Sequence, residues 1–361
     1  MDIKQINWKR VIIIAGSFIA FAIGSGFSTG QETLQFFGAF GFKSFLSVVV
    51  FFILLSYINC NFFEAGRIGQ FEKGSQVFNY FCGKYVGKFF DYFTVLFVFM
   101  SYFVMIAGAG ANFNQQFGIP NAVGAIIMAI AAGVTVVFGL NKLVEIIGTI
   151  GPFIIILAVT ASILGVIYGK TGIIEGNRIL PKMNVMAAGP NWFLAVLSYT
   201  GFGMLWFASF FATIGKDEKN PNDARLGIIL GAGVFAATII IVVLALLANI
   251  EFVAHSQIPL LLIINNISHT MATVYSVVIF LAIYSTACPL LWTVSSRVSK
   301  EGTTKYKIIT MVLAIIGCAI GLWIPFNKLL NYVYAINGYI GFILFAFIVV
   351  RNVRSLLSRK A

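Results

Sequence analysis

Apolar runs of membrane-spanning length, each closed by charge, Gly, Pro or Asn, recur along the whole chain. They predict helices over about residues 10–37, 43–66, 88–113, 120–139, 142–169, 191–214, 224–249, 271–297, 306–325 and 329–350. A bilayer core asks for roughly 20 apolar residues per helix, so ten such spans with short connections use up nearly all of the 361 residues. No soluble catalytic domain fits in the remainder. A shorter apolar stretch, Ile258 to Ile267, carries the turn signal of Pro259. It is too short to cross and reads as an interfacial or re-entrant helix in a loop.

Composition agrees with that pattern. Hydrophobic residues make up 60% of the chain and charged residues 10%, with a mean hydropathy of +0.96. A soluble domain carries about 25% charged residues, so the solvent of this surface is largely lipid. The net charge of +12 would raise the question of nucleic acid in a soluble protein. Here the basic residues sit between apolar runs and act as topology signals instead. With the N-terminus inside, nineteen of the 24 Lys and Arg residues fall in inner segments and five, Lys43, Lys170, Arg178, Lys182 and Lys328, in outer ones. The positive-inside rule then places both termini in the cytoplasm, which requires an even number of spans. Met1 to Arg10 forms the polar lead-in to the first helix and has no small-residue cleavage site of a signal peptide. Cys60, Cys82, Cys288 and Cys318 are scattered without metal or disulfide spacing. His255 and His269 share a loop but no ligand spacing. With no Walker motif, GxSxG or dinucleotide fingerprint, and no cluster of convergent acids, His or Cys, the chain reads as neither an ATP-driven pump nor an enzyme.

Two spans carry polar, glycine-rich centres. The first contains Gly24-Ser25-Gly26-Phe27-Ser28-Thr29-Gly30-Gln31-Glu32, and the sixth contains Ser198-Tyr199-Thr200-Gly201-Phe202-Gly203-Met204. Glycine costs up to about 1 kcal/mol in a helix interior, and polar groups at this depth need a cavity or a partner. Both helices are therefore expected to break there. The two Gly-x-Gly units lie near equivalent points of the two halves, and five helices per half invert the second half relative to the first. Paired interrupted helices in inverted halves mark the midplane site of a transporter; the competing reading is that the glycines only allow close helix packing. The backbone and side chains expected at the cavity are Gly24, Ser25 and Gly26 from the first span, Tyr199, Thr200, Phe202 and Gly203 from the sixth, and Tyr102 from the third. Trp206, a turn beyond, is a weaker candidate for a gate. Glu32 is the most informative side chain, because an acid inside a membrane helix is costly unless it works. It could bind a substrate amine, carry a proton, hold the break open, or merely cap the second half-helix.

The stretch from Gly24 to Glu32 is similar to the signature of the YkvI family of bacterial membrane proteins. Ten helices in a five-plus-five inverted repeat, broken in the first and sixth, resemble the LeuT fold of the amino acid-polyamine-organocation superfamily. The resemblance implies an all-α polytopic bacterial protein of one transmembrane domain over residues 1–361, with repeats over about 8–169 and 190–350. It also implies secondary transport by alternating access. Ser285 and Thr286 on the eighth span match the hydroxyl pair of sodium-coupled members, which with the carbonyls of Ala20, Ile23 and Ala282 would hold a sodium ion. The alternative for both hydroxyls is a bond back to their own helix. The expected partners are thus the lipid bilayer of the cell membrane and a small solute, an amino acid or related amine, with sodium or protons as coupling ion, no other cofactor and no nucleic acid. Two rivals are a receptor that kept the fold, resembling spore germinant receptors, and a channel.

Overall fold

A computed structural model describes residues 6–22, 24–138, 154, 156–218 and 220–358. The chain is an all-α polytopic membrane protein. Its first span is divided into α1 (Trp8–Ala22), α2 (Ser25–Thr29) and α3 (Gln31–Phe36). The following helices are α4 (Lys43–Gly69), α5 (Gln76–Phe117), α6 (Asn121–Phe138) and α7 (Ile156–Ile167). The second half comprises a short α8 (Ile173–Ile179), then α9 (Trp192–Asp217), α10 (Pro221–Leu247), the short α11 (Ile250–Val253), α12 (Pro259–Ile267), α13 (His269–Val298), α14 (Thr304–Trp323) and α15 (Phe326–Ser358). Among the described residues, eight helices are long and apolar enough to cross a membrane: α4, α5, α6, α9, α10, α13, α14 and α15. The first expected span falls short because it is divided, and the fifth is described only in its second part. Lys142 and Glu145 lie outside the described residues.

The ends of these helices follow from local chemistry. Asn191, Ser268 and Thr303 accept hydrogen bonds from the backbone N–H of Leu194, Met271 and Tyr306, three residues on, which supplies partners to donors that a helix start leaves free. Asn220 precedes Pro221, whose ring suits the first helical position. Within α5, Gly83 takes φ 74°, a conformation that favours glycine. It separates a short polar-flanked helix from the long span that follows.

Polar contacts sort the loops onto two faces. On one, the backbone N–H of Asn7 donates to Asp223 at 3.0 Å, and Arg10 pairs with Glu218 at 2.5 Å. Glu64 bridges Arg67 and Arg225, Arg297 pairs with Asp91, and Arg351 reaches the carbonyl of Tyr80. The opposite face joins Phe42 to Asn177, Thr171 to Ala248, Gln115 to Ile258, and Gln35 to Asn327. The two ends of the described chain therefore lie on the same face, the one that holds the basic-rich loops. The stretch expected as an interfacial or re-entrant helix is α12, and its Pro259, Leu260, Leu261, Ile263 and Ile264 are buried. Rather than lying at the lipid surface, it packs into the second face against α2 and α13.

The sixth span differs from expectation. α9 runs unbroken from Trp192 to Asp217, so the Gly-x-Gly at its centre is no interruption. Gly201 lies against α15: a Cβ there would stand 1.9 Å from the carbonyl oxygen of Gly338 and 2.6 Å from the Phe342 nitrogen. Gly338 and Gly341 answer from the other side, where a Cβ would meet the carbonyl oxygens of Ser198 and Gly201 at 2.1 Å each. Three glycines let two backbones touch, as small residues do between membrane helices. The polar neighbours have partners without unwinding. Ser198 donates to the Ala335 carbonyl at 2.9 Å and Thr200 to the Val196 carbonyl at 2.8 Å.

Candidate functional site at the divided first span

The first span changes direction twice. α1 ends at Ala22, and Gly24 is extended with φ −94° and ψ −171° before α2 begins. At Gly30 the backbone takes φ 80° and separates α2 from α3. Glycine is needed at position 30 on two counts, since a Cβ would also stand 2.7 Å from the Leu260 Cγ of α12. Hydroxyls in the segment hold it: Ser28 donates to the Gly24 carbonyl at 2.8 Å and Thr29 to that of Gly26 at 2.7 Å.

Every residue of α3 is buried, including Gln31, Glu32, Thr33 and Gln35, a dense polar patch for a membrane interior. The Glu32 side chain folds back over α2. Its Oε1 lies 1.9 Å from where a Cβ of Gly26 would be, so the carboxylate fills the space that glycine leaves. Oε2 accepts from the Tyr199 hydroxyl at 3.1 Å. Glu32, Gly26 and Tyr199 are thus brought together across the first and sixth spans. Among the described residues that hydroxyl is the carboxylate's hydrogen-bond partner, thin support for a group that in hydrocarbon calls for a paired charge or several donors.

Aromatic rings extend from this acid along α9. Tyr199, Phe202 and Trp206 follow one another at 5.8 and 6.2 Å between ring centroids. Phe202 stacks on Tyr334 of α15 at 4.4 Å and meets Phe97 of α5 edge-on at 5.5 Å. The Trp206 indole N–H donates to the Phe21 carbonyl at 3.2 Å, closing α9 against the end of α1. Tyr199 is buried, whereas Phe202, Trp206 and Gly24 are half-buried and Phe21 is exposed.

The remaining expected residues divide into those at the interruption and those away from it. Thr286 lies at the interruption, its Oγ1 4.0 Å from the Cβ position of Gly24. Ser285 and Thr286 both donate to the Ala282 carbonyl, at 2.8 and 3.1 Å. That is the bond back to their own helix weighed above, and each hydroxyl spends its proton on it. Ala20 is an exposed residue of α1, Ile23 lies outside the described residues, and so does the side chain of Ser25. Thr200 is buried with its hydroxyl spent on its own helix, and Gly203 faces Leu55 of α4. Tyr102 points elsewhere: its ring packs where a Cβ of Gly317 would lie, 2.3 Å away, against α14, and its buried hydroxyl has no hydrogen-bond partner among the described residues. Among the described residues no group of three or more His, Cys, Asp and Glu could hold a metal ion.

Several participants escape sequence reasoning. The Tyr275 hydroxyl of α13 donates to the Ser28 carbonyl at 2.7 Å. Gln35 ties α3 to α15, donating to the Asn327 carbonyl at 2.8 Å and accepting from Asn331 at 2.8 Å. Tyr334 supplies the ring over Phe202. Gln35 could have been found as part of the polar run that begins at Gln31; an isolated tyrosine in an aromatic-rich span gives no such signal. The carbonyls of Phe21, Gly24, Gly26 and Ser28, next to or within the interruption, each accept from a side chain of the protein. That shifts the chemistry of the site from its backbone to Glu32.

Comparison with known proteins places the fold. No protein family matches the chain. It is 22% identical over 335 residues, 91% of its length and 92% of the relative's, to the uncharacterised protein YyaD of Bacillus subtilis (strain 168). It is 20% identical over 336 residues, with the same coverage, to the uncharacterised membrane protein YkvI of that organism. Among solved structures, MhsT in complex with L-phenylalanine superposes with a TM-score of 0.64 at 16% identity, covering 94% of this chain and 88% of that one. The inward-facing conformation of Mhp1 gives 0.54 at 15% identity over 92% and 73%. A manganese transporter mutant of Eremococcus coleocola gives 0.52 at 14% identity over 96% and 73%. The chain thus has LeuT-like inverted-repeat packing.

Proposed function

We propose that this chain is a secondary active transporter that moves a small organic solute, an amino acid or related amine, across the cell membrane by alternating access. The observation that carries this reading is Glu32, an acid buried inside the bilayer at the point where the first span is divided, hydrogen-bonded to Tyr199 of the sixth. A stable membrane bundle gains little from a buried carboxylate whose hydrogen-bond partner among the described residues is a single hydroxyl, whereas a carrier needs a group whose charge a solute or ion completes. The fold shared with MhsT and with a manganese transporter supports the reading. It takes the chain as one domain with ten crossings and both termini in the cytoplasm.

Sodium and protons are the candidate coupling ions. Sodium would use Ser285, Thr286 and the Ala282 carbonyl beside Gly24; a proton would use Glu32. Proteoliposomes loaded with a panel of amino acids and amines, and exposed in turn to a sodium gradient and a pH gradient, test the proposal. Accumulation above the external concentration under either gradient is the expected result. Binding without any flux would instead identify a receptor, and flux that only equilibrates would identify a channel.

A further inference from the structure

The long span of α5 begins at Lys84, directly after Gly83 turns the chain with φ 74°. From there Tyr85, Phe89, Tyr92 and Leu96 recur at helical spacing on one face, and each is more than half exposed. Tyrosines at the start of an apolar span sit at the level of lipid headgroups. Lys84 and Lys88 are exposed beside this stripe. The end of α13 reaches the same place: Arg297 pairs with Asp91 and lies 5.7 Å from the centroid of the Tyr92 ring, and Lys88 Nζ lies 5.8 Å from that centroid. Two cations from different helices thus share one exposed ring. Lys84, Lys88 and Arg297 are the Lys and Arg residues of α5 and α13, and Asp91 is the one acid of the two helices.

We propose that this junction of α5 and α13 binds an anionic phospholipid, with its phosphate between Lys88 and Arg297 and its acyl chains along Phe89 and Leu96. Three cations gather here against one carboxylate, so positive charge is left over where the bilayer edge screens it less than water does. A guanidinium has five N–H donors, enough for Asp91 and a phosphate together. Because Asp91 already holds the Arg297 side chain, binding has less ordering to supply. Soluble phosphate would meet the same cations and leave the apolar stripe unpartnered, whereas a lipid answers both. Basic pockets between membrane helices recognise anionic headgroups in this way. The two helices so bridged also flank the divided span, α13 with Thr286 beside Gly24 and α5 with Phe97 against Phe202.

Native mass spectrometry tests the site on the purified full-length protein in a neutral detergent, titrated with dioleoylphosphatidylglycerol or dioleoylphosphatidylcholine. The dissociation constant of the first bound lipid is the readout. Phosphatidylglycerol is expected to bind about tenfold more tightly or better, and Lys84→Gln with Lys88→Gln should weaken it by about 30-fold, at about fivefold per cation. Arg297→Gln removes the cation of the other helix and frees Asp91 to repel the phosphate, so it should cost at least as much as one lysine. Lys9→Gln with Lys216→Gln takes the same charge from exposed positions elsewhere on this face and should leave the affinity nearly unchanged. Equal affinity for the two lipids overturns the proposal. So does an equal loss in the Lys9 and Lys216 variant, which would assign the attraction to the general field of the face. Binding of glycerophosphoglycerol as tight as that of the intact lipid overturns it too, in favour of a soluble anion.

Discussion

Replacing Gly201 by alanine distinguishes a glycine that permits helix contact from one that permits unwinding. In the folded protein a Cβ at 201 would stand 1.9 Å from the Gly338 carbonyl oxygen. A close carbon–oxygen contact needs about 3.3 Å, so α9 and α15 would have to part by more than 1 Å at their tightest crossing. The obstructing atoms are backbone, which has no rotamer to change. Gly203, two residues on, is the internal control: its Cβ would meet the Leu55 Cδ1 at 3.5 Å, an ordinary contact. Both changes gain the same helix propensity, about 1 kcal/mol, which cancels when the two variants are compared. What remains is the overpacking cost, about 1–3 kcal/mol. Thermal unfolding of the purified variants in detergent, followed by tryptophan fluorescence, should rank Gly203→Ala at or above the unaltered protein and Gly201→Ala clearly below both. Equal melting of the two variants would refute the close crossing and restore an interrupted sixth helix.

Other perturbations address the remaining elements of the site. Replacing Ser285 and Thr286 together by alanine removes two hydroxyls beside Gly24 and is expected to weaken any sodium dependence of uptake, measured as the sodium concentration for half-maximal rate, while the melting temperature changes little; an unaltered sodium response would exclude them as ligands. Tyr102→Phe deletes a buried hydroxyl that has no partner among the described residues, and should leave stability unchanged or raise it by about 1 kcal/mol, with uptake intact; a loss of uptake at normal stability would return Tyr102 to the site. A cysteine at exposed Lys182 should react with an impermeant reagent in intact cells and one at exposed Lys305 should not; the reverse pattern would invert the topology.

The spans were legible because a bilayer imposes one dominant pattern, some 20 apolar residues closed by charge, and the alternation of basic loops with apolar runs carries over to the two faces joined by Asp223, Glu64 and Arg297 on one side and Asn177 and Asn327 on the other. Gly24 and Glu32 were legible for the same reason: polar and flexible residues stand out in an apolar helix. The sixth span was misread because Gly-x-Gly is ambiguous. The same two residues serve a bend or a contact, and which one depends on Gly338 and Gly341, more than 130 positions away. Tyr102 was misplaced because an aromatic residue on a helix gives no hint of which neighbour it faces, and Gly317 of α14 is what receives it. Tyr275 and Tyr334 were missed for the same reason. Glu32 meeting Gly26 is a local event of a chain folding back on itself within two turns, and so it could be anticipated from spacing; Glu32 meeting Tyr199 is a tertiary event, found from sequence only by setting the two glycine-rich centres side by side.

The central claim is that Glu32 supplies the charge on which transport depends. Counterflow in proteoliposomes tests it directly, with the unaltered protein and Glu32→Gln reconstituted at matched density, orientation and melting temperature and the solute identified from the panel inside the vesicles. The account predicts that the unaltered protein draws labelled solute in against its concentration gradient across pH 5 to 8 and that Glu32→Gln does not. Equal counterflow by the two proteins over that range would contradict it and remove Glu32 from the mechanism.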